Sequence, residues 1–267
     1  MNDRISITML EDGIADVRMT RVDKMNALDT AQWAALVDAV ETMKAMDGLR
    51  VVVLSGEGRA FCAGLDLASM QSDRTPGASS AGGSLAERTH GIANNAQYAA
   101  WGWRELPVPV IAAVHGVAFG AGSQIMAAAD IRIVHPATRI AIMEMKWGLV
   151  PDVAGMPLWR TQVKDDVLRE MIYTNREFNG VEAKEMGFAT HVSDDPHAKA
   201  MELARVIANK NPHAIRGAKR LCNMMAAATD ADLLQAESDE QIKVIRKPNQ
   251  MEAVMAEMQK RKPNFAD

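Results

Sequence analysis

Hydrophobic and polar residues alternate from residue 5 to residue 20, ISITMLEDGIADVRMT, in two runs on either side of Asp12-Gly13. Period two predicts strands, and glycine's access to positive φ at the turn makes the pair a hairpin. The period then changes. Asp29 or Thr30 can cap a helix over AQWAALVDAVETMKAMD, where Trp33, Leu36, Val37, Val40 and Met43 recur at helical spacing and Gly48 ends the run. Residues 51 to 54, VVVL, have no polar position, the pattern of a strand buried on both faces. FCAGLDL follows at 61 to 67. Residues 71 to 84, QSDRTPGASSAGGS, hold Gly, Ser and Pro without an apolar period. They predict an irregular segment, either a mobile lid or a plain surface excursion. A helix is expected from about 85 to 105 and another buried strand at 110 to 114.

HGVAFGAGSQIMAAAD then predicts a strand, a glycine-rich turn and a small-residue helix starting near Gly122. Short strands near 131–134 and 139–142 follow, then MEMKWGLVPDVAG and helices to about residue 175. A turn near Gly180 leads into VEAKEMGFATHV, a helix and a last strand. From residue 195 strands stop and charged amphipathic helices run to the end. The chain reads as mixed α/β, with a core over 1–194 and a helical region over 195–267.

Composition narrows the possible functions. The chain has 267 residues, 48% hydrophobic and 24% charged, which suits one large domain or a main domain with a helical appendage. A net charge of −4 and a pI of about 5.9 offer no basic footprint for nucleic acid or an anionic membrane. No apolar run reaches the roughly 18 to 20 residues that span a bilayer. The N-terminus enters a strand pattern at once, so a cytoplasmic protein without a targeting segment is expected. Cys62 and Cys222 stand far apart, with no zinc-type spacing, and are expected as reduced thiols. The 19 methionines read as core filler.

FCAGLDL fits neither helix nor strand. A small-small pair before a bulky apolar residue lets the backbone approach something closely, and Asp66 can tie the loop down. FGAGSQIMAAAD lacks both the P-loop lysine and GxGxxG, so it is no phosphate signature. A helix starting near Gly122 points unpaired N–H groups and a positive dipole end at its turn. If the two loops face each other, two backbone N–H groups converge as an oxyanion hole. Such a hole suits a carbonyl oxygen that gains charge during reaction.

FCAGLDL, PVIAAVHGVAFGAGSQIMAAADIRI and MEMKWGLVPDVAG, in this order and spacing, resemble the crotonase (enoyl-CoA hydratase/isomerase) superfamily. FNGVEAKEMGFATHV, NPHAIRGAKRLCN and KRKPNF extend the resemblance over nearly the whole chain. It implies an α/β fold, a spiral of ββα turns with a C-terminal helical trimerisation region, and a homotrimer or dimer of trimers. It implies an acyl-CoA thioester as substrate, with CoA part of that substrate and no separate cofactor or metal. The oxyanion donors would be the backbone N–H groups of Leu65 and Ala121. CoA would lie along Lys24 and Ala27 and along Ala63, Gly64, Asp66, Leu67 and Ala68, with Lys24 a candidate phosphate contact. Gly120 and Gln124 would adjoin the substrate.

Two glutamates flank the substrate in the hydratases of that family. One position is Glu144 here; the other is Gln124. A glutamine has no proton to exchange near neutral pH and cannot serve as a general base. Asp152, eight residues after Glu144, matches an aspartate of the dienoyl-CoA isomerases. Those enzymes also carry an aspartate where Gln124 stands, so two of three acid positions agree. The expected function is therefore enoyl- or dienoyl-CoA isomerisation, with Glu144 and Asp152 moving protons. Hydration by Glu144 is the alternative, and a non-catalytic CoA- or RNA-binding homologue a further one. The apolar surroundings of Glu144, IAIMEMKWGL, predict a raised pKa. His115 reads as a packed histidine, and Cys62 lacks a neighbouring base.

Overall fold

The computed structural model describes residues 3–72, 77 and 79–267. β1 (Ile5–Met9) and β2 (Ile14–Met19) form the expected hairpin, with Ile5 opposite Met19. α1 (Thr30–Lys44) follows, and Asp29 caps it by accepting a 2.8 Å hydrogen bond from Gln32 N. β3 (Val51–Gly56) leads through the FCAGLDL loop to α2 (Leu67–Ser72) and α3 (Asn95–Glu105). Next come β4 (Val110–Val114), β5 (Val117–Phe119), α4 (Ala121–Ala128), β6 (Ile131–Val134) and β7 (Arg139–Ala141). α5 (Gly155–Trp159), α6 (Asp165–Thr174), α7 (Gly180–Met186) and β8 (His191–Val192) complete the strand-bearing part. α8 (Pro196–Ala208), α9 (Pro212–Met224), α10 (Asp230–Val244) and α11 (Pro248–Met258) end the chain. Single 3-10 turns lie at Val22–Lys24 and Glu144–Trp147.

The strands of the large sheet run in the order β1-β2-β3-β4-β6-β8, parallel after the first hairpin. β5 and β7 pair in a second, parallel sheet. β4, β5 and α4 make one turn of a spiral; β6, β7 and the helices after them make the next. Each turn gives one strand to each sheet and then a covering helix, the expected ββα repeat. Val52, Leu54, Val110, Ala112 and Val114 enter the main core. Their neighbours Val51, Val53, Ile111 and Ala113 face the other way and meet Ala200, Met201, Ala204 and Ala208 of α8. Strand side chains alternate faces, so a sheet apolar at every position needs both faces covered. The helical run from 195 therefore divides by packing. α8 closes the sheet's second face, and α10 has no buried residue in the single chain.

Two expectations change. The helix expected from about 85 begins at Asn95. Asn94 and Gln97 form a reciprocal capping box there, which fixes the start against the polar, irregular stretch before it. The irregular segment at 71–84 is shortened at its start by α2, which runs to Ser72. Ser79 to Leu85 forms turns, with Ser79 N bonded to Gly83 O. The choice between lid and excursion falls on residues 73–76 and 78, outside the described residues. No helix among the described residues is long and apolar enough to cross a membrane.

Candidate active site

The FCAGLDL loop is stitched to two neighbours. Cys62 N bonds to Val117 O and Phe119 N to Cys62 O, joining the loop to β5. Ala63 N bonds to Met25 O, Leu28 N to Gly64 O and Asp66 N to Leu28 O, joining it to the segment after the first 3-10 turn. Cys62 Sγ donates to Asn26 O at 3.2 Å. That thiol is fully buried, and burial pushes its pKa up to about 12, so it is a packing group and no nucleophile at neutral pH. Asp66 does tie the loop down. It accepts from Ala68 N at 3.0 Å and pairs with Arg21 at 2.7 Å. Burial alone would raise its pKa, but Arg21, the Ala68 N–H and the charge of Lys24 outweigh burial and hold it below the usual range.

Gly64 brings the two loops together. Its φ is +83°, and a Cβ there would collide with Phe119 O at 2.5 Å and stand 3.7 Å from Ala121 N. The N–H groups of Leu65 and Ala121 have no hydrogen-bond partner among the described residues. Ala121 opens α4, so its N–H is one of the helix's unpaired first donors. The two predicted oxyanion donors thus stand at one junction.

A cavity of about 720 Å³ opens over this junction. Leu65, Ala121, Lys24, Ala27, Ala63, Gly64, Asp66, Leu67, Gly120, Glu144 and Asp152 all line it. Two other residues placed at the substrate by resemblance do not. Ala68 lies beyond the wall on α2. Gln124 is fully buried behind Glu144, because its side chain is drawn inward by three protein partners. The wall also holds Trp33, Leu85, Ala96, Phe119, Met143, Trp147, Leu149 and Val153, an apolar set suited to a chain. Arg139, Lys146 and Glu177 add charge; Arg139 pairs with Glu177 at 2.7 Å and lies over the Phe119 ring. Sequence reasoning expected the stretch from 71 through the helix after residue 85 to line the pocket, as Leu85 and Ala96 do, but singled out none of the others. Trp33 looked like ordinary core at helical spacing, whereas the exposed bulky Trp147 and Leu149 around Gly148 were a usable signal. Arg21 was missed too, although it bonds Ala27 O, Asp29 and Asp66 together.

Glu144 opens the second 3-10 turn and is 8% exposed. Burial raises its pKa most; the like charge of Asp152 adds to this, while backbone donors and Gln124 oppose it. Its Oε1 accepts from Gln124 Nε2 at 2.6 Å, and its Oε2 is buried without a partner among the described residues. Asp152 keeps a solvent-facing side in the single chain, yet the protein crowded around its carboxyl raises its pKa as well. Two carboxyls with raised pKa on one apolar cavity wall, beside two free N–H donors, are groups able to move protons next to a carbonyl. His115 lies outside the cavity wall, half-buried with Nε2 2.9 Å from Gly58 O. Among the described residues no group of three or more His, Cys, Asp or Glu is placed to hold a metal ion.

Known proteins share this architecture. The family model for enoyl-CoA hydratase/isomerase matches residues 9–267. Enoyl-CoA hydratase EchA19 of Mycobacterium tuberculosis is 31% identical over 252 residues, covering 93% of this chain and 91% of that protein. A mitochondrial Delta(3,5)-Delta(2,4)-dienoyl-CoA isomerase of Mus musculus is 28% identical, covering 81% of this chain and 68% of that one. The crystal structure of an enoyl-CoA hydratase from Bacillus anthracis superposes with a TM-score of 0.88 at 27% identity, covering 98% of this chain and 99% of that chain.

Proposed function

The chain belongs to the enoyl-CoA hydratase/isomerase family, and from that premise we propose that it shifts a double bond within an acyl-CoA thioester. The observation that carries this reading is the state of Gln124. Its amide is spent on Glu144 and on two backbone N–H groups, so no second base stands where hydratases of the family have one. Asp152 shares the cavity wall with Glu144 instead.

The proposed reaction needs no co-reactant. The thioester oxygen sits against the N–H groups of Leu65 and Ala121. Glu144 takes a proton from the acyl chain, and the freed electron pair spreads through the adjacent double bond to the carbonyl as an enolate or dienolate. The two N–H groups hold the charge on oxygen. A proton then returns to a carbon further along, from Glu144 for a short shift or with Asp152 for a longer one. The electron pair closes the new bond position and the atom count is unchanged. Lys24 and the segments 24–27 and 63–68 would carry the CoA portion. The apolar side chains left exposed on α10 and α11, among them Leu234, Ile242, Met251 and Met258, support a homotrimer or dimer of trimers.

The test is Glu144→Gln, assayed by absorbance on 3-enoyl- and 3,5-dienoyl-CoA. Isomerisation should fall about 10²- to 10⁴-fold, the range for loss of a positioned acid–base. Unchanged turnover on every substrate would end the assignment. Hydration is the second reading, favoured by the name of EchA19, and it predicts that a 2-enoyl-CoA gives a product heavier by one water.

A further inference from the structure

Gln124 sits on α4 behind Glu144, and each end of its amide is fixed by a different element. Oε1 accepts from Val153 N at 2.8 Å and Gly155 N at 2.9 Å. Turning the amide over would set its NH₂ against two N–H donors, so these bonds dictate which end is which. Nε2 is therefore the atom facing Glu144 Oε1. Position 155 has to be glycine for this contact. A Cβ there would lie 2.7 Å from Gln124 Oε1 and 2.5 Å from the Trp159 ring.

We propose that Gln124 is a positioning residue that confines proton exchange by Glu144 to a single oxygen, Oε2, and holds Asp152 in register with it. The inference rests on the reading of Glu144 as the acid–base. A carboxylate or carbonyl oxygen accepts a hydrogen bond better than a hydroxyl oxygen does. Protonating Oε1 would turn it into a hydroxyl, the weaker acceptor, whereas protonating Oε2 leaves Oε1 a carbonyl oxygen that still accepts from Gln124 Nε2. The proton accordingly goes to Oε2, which has no partner among the described residues. At the other end of the same amide, the two bonded N–H groups belong to Val153, next to Asp152, and to Gly155. One carboxamide thus sets the spacing of both acids. The groups around Glu144 contribute little else: Gly120, Met143 and Gln124 carry no charge, and Asp152 is the charge that bears on it.

Gln124 also tunes Glu144. Its N–H favours the ionised form and opposes burial. The experiment is the pH dependence of kcat/KM for wild type and Gln124→Met on one enoyl-CoA substrate. Loss of a hydrogen bond to a charged group should move the acid limb up by about one pH unit. KM should stay within about twofold, since Gln124 is off the cavity wall. An unmoved limb would overturn the proposal, as would a limb moved only together with a raised KM. Because Gln124→Met also strands two backbone N–H groups, the intact enzyme is measured too. The side-chain amide resonance of Gln124 should titrate with the midpoint of the wild-type acid limb and cease to titrate in Glu144→Gln. An amide that does not titrate in wild type overturns the proposal even if the variant fails to fold. Full activity in Glu144→Gln would instead remove the underlying assignment. An inactive Glu144→Gln with an unmoved limb in Gln124→Met would remove the role of Gln124 alone.

Discussion

Glu144 costs the fold something at neutral pH. Its pKa is raised in the folded chain, chiefly by burial, so the native state holds its proton to higher pH than the unfolded chain does. Stability therefore falls as pH rises from the ordinary glutamate range through the raised value. Glu144→Gln removes that fall while keeping an acceptor for Gln124. Melting curves should show the variant equal to wild type in acid and more stable near neutral pH. The two thiols offer a second residue-scale prediction. Cys222 is exposed and Cys62 is buried with its pKa near 12. A thiol reagent at pH 8 should modify one group in the native protein and two after denaturation. Glu144 was legible in the sequence because a carboxylate among Ile, Met and Trp is rarely idle. Gln124 was only half legible. Its chemistry excluded a base, but its partners, Val153 N and Gly155 N, are 29 and 31 positions away and depend on backbone direction that no local pattern encodes.

At the scale of elements, Arg21 holds the site's entrance together. It ties Asp29, the cap of α1, to Asp66 of the FCAGLDL loop, with all three side chains largely buried. Arg21→Met leaves Asp66 without its ion-pair partner, whereas Asp29 keeps Arg4 at 2.9 Å, and should cost about 2–4 kcal/mol in urea unfolding, with KM raised by the loosened loop. The pH dependence has a sign. Asp66 has a lowered pKa, so its stabilisation is present above the ordinary aspartate value and is lost as pH falls through the lowered one. That acid-side loss should shrink in the variant. Strands and the start of α1 were readable from period and cap. The start of α3 was not, because the reading followed scattered apolar residues and passed over Asn94 and Gln97, whose three-residue spacing marks a capping box.

For the whole molecule, the spiral of ββα turns followed from the family resemblance, since the strand-strand-helix units carry no clear sequence repeat. The place of α8 did not. Its alanines at 200, 204 and 208 pack on Val53, Ala113 and their neighbours, across more than 80 residues of chain. Ala204→Leu should overpack that layer and cost about 1–3 kcal/mol, with KM near the wild-type value because the cavity lies on the opposite face. The proposed assembly has its own measurement. Sedimentation equilibrium should give three or six times the chain mass of 29.0 kDa, and a species of 29.0 kDa would contradict it. The central claim is that this cavity relocates a proton and adds nothing. The most direct measurement is incubation of the wild-type protein with a 3,5-dienoyl-CoA, a 3-enoyl-CoA and a 2-enoyl-CoA, each separately in deuterated water, read by mass spectrometry and ultraviolet absorbance. The account predicts a shifted absorbance and a product of substrate composition, carrying at most carbon-bound deuterium. A product heavier by one molecule of deuterated water would contradict it and make the enzyme a hydratase despite Gln124.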